Sequence, residues 1–280
     1  MNKIMTCIDG SNISFTVSDY AAWAKNKLNA PVELLHVLDK EQYPTEQNLS
    51  GSIGLGSREQ LLDELVKLDE QRYKIALEQG RLILEDTQRY MLTKGIYDLE
   101  IRQRHGSLVE TLAELEKEYQ LVILGRQGEQ TQSTYQHIGS QLETVIRTIT
   151  KPILVTPSYY IEPTNLMLAY DGSIQSDKCV SMLLNNPLFK SLPIHLVTVG
   201  LSLENKLLTA KTKLEQHKFK VQTAILSGEV DLKLNQYQKQ QEISMLLMGA
   251  YGHTRLRQFF VGSTTTNMLR YANVPIMLFR

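Results

Sequence analysis

The chain repeats itself. Lys3 to Ser11 reads K-I-M-T-C-I-D-G-S and Asn165 to Ser173 reads N-L-M-L-A-Y-D-G-S, each a short apolar run closed by Asp-Gly-Ser. A helical pattern follows each. Then comes a strand opening on proline, P-V-E-L-L-H-V-L from Pro31 and P-I-H-L-V-T-V-G from Pro193, at the same offset of 162 residues. Further on, Leu121 to Gly128 (L-V-I-L-G-R-Q-G) matches Met245 to Gly252 (M-L-L-M-G-A-Y-G), and Lys151 to Pro157 matches Val274 to Arg280. The offset has now dropped to 123 or 124, so the first copy carries an insertion of about forty residues between its second and third strands. A repeat of this kind constrains the fold strongly, because both copies must be built as the same unit.

Each copy reads as five apolar strand runs separated by helical patterns. That alternation predicts βαβ units, a parallel sheet and right-handed crossovers that put helices on both faces. Strands covered on both faces should be near-continuously apolar. The third strands are expected at Leu99 to Arg104 and Lys220 to Leu226. Ser11 and Ser173 stand where helix N-caps belong. Leu142, Val145, Ile146 and Ile149 form the apolar stripe of a helix from Gly139, and Met268, Leu269 and Ala272 form that of its counterpart from Gly262. Pro152 and Pro275 stop both. Ser158 to Thr164 is the expected linker, which divides the chain into domains 1–158 and 159–280.

The insertion, from about Asp39 to about Tyr97, starts polar and glycine-rich. Gly51, Gly54 and Gly56 follow no strand and miss the spacing of a dinucleotide loop, so this part reads as flexible linker. Ser57 to Thr93 then reads as one long helix, suited to an interdomain or intersubunit contact.

Two segments carry the chemistry. In Met245 to Thr265 an apolar strand ends at Gly249, and the spacing Gly-x2-Gly-x9-Gly-Ser runs through Gly252 to Gly262 and Ser263. Small residues leave backbone open to close approach. Gly-Ser-Thr-Thr at a helix start offers unpaired N–H groups, hydroxyls and a positive dipole end, a combination that suits phosphate. Alone, such a loop is equally an ordinary capped turn; its twin at Gly125 to Ser140 decides the reading.

The strand ending in Asp-Gly-Ser, the second strand ending L-L-H-V-L-D and the doubled glycine motif together resemble the universal stress protein family, in its tandem two-domain form. The resemblance covers nearly the whole chain. It implies two tandem Rossmann-like domains of the adenine nucleotide alpha hydrolase-like type. Each would have a five-stranded parallel sheet of order 3-2-1-4-5 with helices on both faces and a ligand crevice at the switch between strands 1 and 4. It also implies a stress-response role with ATP, with or without Mg2+, as the ligand. Carried over to the second copy, Asp171 would face base or ribose and Val199 would pack adenine. Gly249 and Gly252 would give backbone access. Gly262, Ser263 and Thr264 would hold phosphates, with His253 and Arg255 as further donors. In the first copy the matching residues are Asp9, Val37, Gly125, Gly128, Gly139 and Ser140. There ten residues, not nine, separate Gly128 from Gly139, Glu129 brings negative charge, and Gln141 replaces a small residue. Each lost donor or added repulsion costs on the order of 1 kcal/mol. The second site is therefore expected to be the better one and the first to be weak, altered or empty.

Other chemistry is excluded or unsupported. No Walker loop, nucleophile elbow or zinc-protease motif occurs. The six histidines are scattered without ligand spacing, so no metal site is expected. Asp9 and Asp171 have no paired acid or base, which argues against catalysis beyond slow ATP hydrolysis. Thirty basic and thirty acidic residues balance, giving no electrostatic case for nucleic acid or a membrane surface. The start of the chain shows no secretory pattern and no apolar run approaches a membrane span, so a cytoplasmic protein is expected. The apolar edge strands Ile153 to Val155 and Ile276 to Phe279 invite pairing. In the family that edge joins single domains as dimers. In a tandem chain the halves should pair with each other, leaving the long helix for a homodimer or for protein partners. A scaffold that holds no nucleotide is the competing function.

Overall fold

The computed structural model describes residues 3–39, 57–127, 140–250 and 263–280; the side chains of 57–63, Ser140 and Ser263 also lie outside the described set. The first half runs β1 (Lys3–Cys7), α1 (Ile13–Leu28), β2 (Val32–Asp39), α2 (Ser57–Thr93), β3 (Leu99–Gly106), α3 (Leu108–Glu114), β4 (Tyr119–Gly125), α4 (Ser140–Thr148) and β5 (Ile153–Thr156). The second runs β6 (Leu166–Ala169), α5 (Ile174–Asn185), β7 (Ile194–Val199), α6 (Glu204–Gln216), β8 (Val221–Leu226), α7 (Val230–Gln240), β9 (Leu246–Gly249), α8 (Ser263–Tyr271) and β10 (Ile276–Phe279).

Among the described residues the strands form one ten-stranded sheet, β3-β2-β1-β4-β5-β10-β9-β6-β7-β8. Within each half the order is 3-2-1-4-5 and the pairing is parallel; the halves meet antiparallel at β5 and β10, with Met277 opposite Leu154. The two apolar edges thus cover each other, as the tandem repeat implied. Helices α1, α2, α5 and α6 pack one face, with Tyr20, Met91, Leu183 and Leu214 fully buried. Helices α3, α4, α7 and α8 pack the other, around Leu112, Val145 and Leu269. Each half therefore changes face between its β1-type and β4-type strands.

Two expectations need correction. The strands are not all apolar. β3 reads L-E-I-R-Q-R-H-G and is half-exposed along its length, because it is an outer edge, where charge discourages pairing with another chain. Ser11 does not cap α1. Its hydroxyl donates to Asp9 Oδ1 at 2.7 Å, and no side chain caps that helix. Ser173 does cap α5, accepting from the Ser176 N–H at 3.2 Å.

The described part of the insertion is built on α2, 37 residues against 13 in its counterpart α6. Aligned at their C-terminal ends, α2 has about 24 more residues, or about 36 Å of additional helix. Part of this excess still packs on the lengthened β2 and β3. Gly80 lets the helix backbone come down on the His36 and Gln103 side chains, and Gln103 Nε2 donates to the Leu77 carbonyl at 3.0 Å. Tyr73 meets His105 edge-on with ring centroids 5.4 Å apart. On the side away from the sheet Leu65, Leu68, Ile75 and Leu82 are exposed, and their spacing follows the 3.5-residue period of a helix-pairing seam.

Candidate functional site

The described residues of the motif lie at the C-terminal ends of strands and at the start of a helix. In the second half β6 and β9 are neighbours, with Leu168 paired to Leu247, and this is where the crossovers change face. Asp171 lies two residues beyond β6, Val199 ends β7 and Gly249 ends β9. Helix α8 starts at Ser263, and Thr264 is half-buried in its first turn. Gly252, His253, Arg255 and Gly262 lie outside the described residues. Asp171 is exposed and its Oδ1 accepts the Ser173 N–H at 3.0 Å, which ties the Asp-Gly-Ser turn to the start of α5. Gly172 occupies the left-handed region at φ +67, and its carbonyl accepts Lys206 Nζ at 3.0 Å.

Two residues here were not foreseen. Ile174, the first of α5, is 72% exposed, and Leu201, just past β7, is 74% exposed. Each follows the C-terminal end of a strand flanking the switch point, where an apolar side chain left in water offers a surface for a flat ring. The only sequence signal was their position immediately after Asp-Gly-Ser and Val-Gly. The part of Gly249 is also more definite. A methyl group there would stand 2.9 Å from Gln175 Cβ, so its small size is used by the close approach of α5. Gly125 matches it, with Ile13 of α1 at the same 2.9 Å. These two glycines let a helix reach the strand end.

The first half places Asp9 and Gly125 in the same way, with Val37 two residues before the end of β2, and α4 starts at Ser140; Gly128 and Gly139 lie outside the described residues. Its surroundings differ. Asp9 Oδ1 accepts from the Ser11 N–H at 3.0 Å, the Ser11 hydroxyl at 2.7 Å and the Ser14 hydroxyl at 3.1 Å. A methyl group on Gly10 would stand 2.5 Å from Ile83 Cδ1, as one on Gly172 would stand 2.9 Å from Leu203 Cδ2 and 3.1 Å from Lys206 Cδ, so the turn lies under neighbouring side chains in both halves. Gln141 Nε2 donates to Asp39 Oδ2 at 2.7 Å.

Arg126, between Gly125 and Gln127, is 9% exposed and leaves its own half. Its Nη1 donates to the carbonyls of Ala272 at 2.6 Å, Leu269 at 3.2 Å and Arg270 at 3.4 Å, at the end of α8. Burial lowers its pKa below the usual guanidinium range. From the second half Arg280 Nη1 donates to the carbonyls of Arg147 and, at 3.2 Å, Thr148, at the end of α4.

Burial pushes the thiols of Cys7 and Cys179 up to about 12, so neither is a ready nucleophile. Among the described residues no group of three His, Cys, Asp or Glu side chains is placed to hold a metal ion, and no helix is long and apolar enough to cross a membrane. An exposed carboxylate can take ribose hydroxyls, exposed apolar side chains can take a base, and the first turn of α8 can take phosphate.

Comparison with known proteins agrees with this architecture. The model of the "Universal stress protein family" matches residues 1–157 and 200–280. Universal stress protein Slr1230 of Synechocystis sp. is 36% identical over 287 aligned residues, covering 100% of both chains. A universal stress protein from Archaeoglobus fulgidus shares the fold over 100% of this chain and 98% of its own, with a TM-score of 0.74 at 17% identity. A putative universal stress protein from Pseudomonas aeruginosa covers 100% and 93%, with a TM-score of 0.61 at 14% identity. A family model that matches both halves and a full-length relative above one-third identity place this chain in the universal stress protein family of stress-response proteins.

Proposed function

We propose that this protein binds an adenine nucleotide, ATP with or without Mg2+, as a regulatory ligand, mainly in its C-terminal domain 159–280. The contrast between the two crevices carries the reading. In the second, Asp171, Ile174 and Leu201 are exposed around the start of the motif. In the first, three donors converge on Asp9, which is half-buried. Asp171 takes the ribose, and Val199 with Ile174 and Leu201 packs the base. Gly249 and Gly252 give backbone groups, while Gly262, Ser263 and Thr264 hold phosphate with His253 beside it. Domain 1–158, with Asp9, Val37, Gly125, Gly128, Gly139 and Ser140, is the weaker second site. Occupancy alters which partners the protein engages, with turnover slow or nil. A second copy of the chain docks along the outward stripe of α2, and the protein works in the cytoplasm without nucleic acid or membrane.

Mass spectrometry of small molecules released from the purified, denatured protein tests this directly. Adenine nucleotide at close to one per chain, or its titration with magnesium, is expected. If none is released and none binds, the reading fails. The second reading, a scaffold without nucleotide, is favoured by the donors converging on Asp9 and by the long α2, and would then stand.

A further inference from the structure

We infer that Arg126 is a positioning residue for the second crevice: from the first half it holds the C-terminal end of α8 and so sets where α8 presents its first turn to phosphate. This rests on the proposed nucleotide site. The last carbonyls of a helix have no partner within it, and a cation there also meets the negative end of the dipole. Arg126 supplies that partner across the domain boundary, to three carbonyls 143 to 146 residues away in sequence. The arginine is itself fixed. Its backbone N–H donates to the Thr156 carbonyl at 3.0 Å, and Val155, Thr156, Leu269 and Val274 line the space around its side chain. A buried guanidinium is costly to leave unsatisfied, so it and the end of α8 stay together.

Helix α8 is nine residues long, about 14 Å, with Thr264 in its first turn. Over that length a helix moves as one body, so a shift at Ala272 reaches the phosphate end. Phosphate donors tolerate only about 0.5 Å of misplacement. The second copy of the motif has Ala250 where the first has Arg126, so no matching arginine returns from that position. The return link comes from Arg280 to the end of α4. Each motif helix is therefore held at its tail by an arginine of the other half.

The test uses the full chain, with R126Q and R126K, titrated calorimetrically with ATP and with adenosine. If Arg126 positions the phosphate end, R126Q weakens ATP binding at least tenfold and adenosine binding less than twofold. R126K, which keeps the charge, recovers part of the loss for ATP. A purely structural role would weaken both ligands together, and that result, or no change for either, overturns the inference. Hydrogen exchange on the nucleotide-free protein gives an independent readout, with faster exchange across α8 expected in R126Q and unchanged exchange refuting the clamp. Wild-type protein that binds neither ligand refutes the nucleotide reading instead. Should R126Q fail to fold, R126K carries the comparison, with a smaller loss expected for ATP alone.

Discussion

Ile83 lies over Gly10, so close that a methyl group on the glycine would stand 2.5 Å from its Cδ1. Gly10 also sits at φ +82, in the left-handed region. Leu203 and Lys206 stand over Gly172 in the matching place, 2.9 and 3.1 Å from such a methyl group, so each half packs its second helix region on its Asp-Gly-Ser turn.

Substituting Gly10 with alanine should cost about 2 kcal/mol or more, because strain and steric overlap add. In an Ile83→Ala background the same change should cost roughly half as much, since only the backbone strain remains. Urea denaturation of the four proteins in the cycle measures this. Equal costs in both backgrounds would show that Ile83 and Gly10 are not coupled.

Ile174→Glu and Leu201→Glu should each weaken ATP binding by at least tenfold while leaving stability within about 0.5 kcal/mol, since both side chains are largely in water. Calorimetric titration beside thermal melts checks both halves of the statement. Unchanged affinity would remove these residues from the base site. Substitutions at Gly249 are a poorer probe, because Gln175 Cβ already fills that approach and the fold would suffer first.

Ser173→Ala should cost about 1 kcal/mol, the usual worth of an N-cap. Ser11→Ala removes a donor to Asp9 instead of a cap, so helicity should fall less than in Ser173→Ala. Circular dichroism and urea midpoints on both variants distinguish the two roles.

Stability should fall in mild acid partly through His195. Burial pushes its pKa below the usual 6.5, and its Nδ1 lies 3.0 Å from the Tyr237 hydroxyl. A base with a lowered folded pKa takes up its proton first in the unfolded chain. Its contribution is therefore present above about 6.5 and is lost as the pH falls below that value. His195→Asn should lose less stability than wild type between pH 7.5 and 5.5. Parallel denaturation curves at both pH values would show that the histidine has no part in it.

The proposed docking of a second copy along α2 predicts a dimer, which replacing Leu65, Leu68 and Ile75 together with glutamate should turn into a monomer without unfolding the domain, since all three are exposed. Sedimentation velocity gives the masses. A wild-type monomer, or a variant that remains dimeric, would rule out α2 as the docking surface.

The fold was legible because it is written twice. A strand that is ambiguous in one copy, such as Leu246–Gly249, is settled by its twin Tyr119–Gly125. The long helix at Ser57–Thr93 was legible from its apolar spacing. The first serine was misread because the sequence cannot show that Asp9 competes for its hydroxyl. The charged β3 departed from pattern because edge position depends on the whole sheet. Arg126 was invisible as a functional residue. Its partners are backbone carbonyls, which every residue has, and nothing in Gly-Arg-Gln-Gly points to a helix 143 residues on.

The antiparallel seam between β5 and β10 has a consequence of a different kind. Two separate copies meeting along such an edge would part on dilution and would carry the same sequence. Joined through residues 157–165, they face each other at an effective concentration in the millimolar range or above, whatever the amount of protein. Fusion also frees the two copies from identity. A change that closes one crevice no longer closes both, so one half can give up an open rim and become the frame on which the other is adjusted.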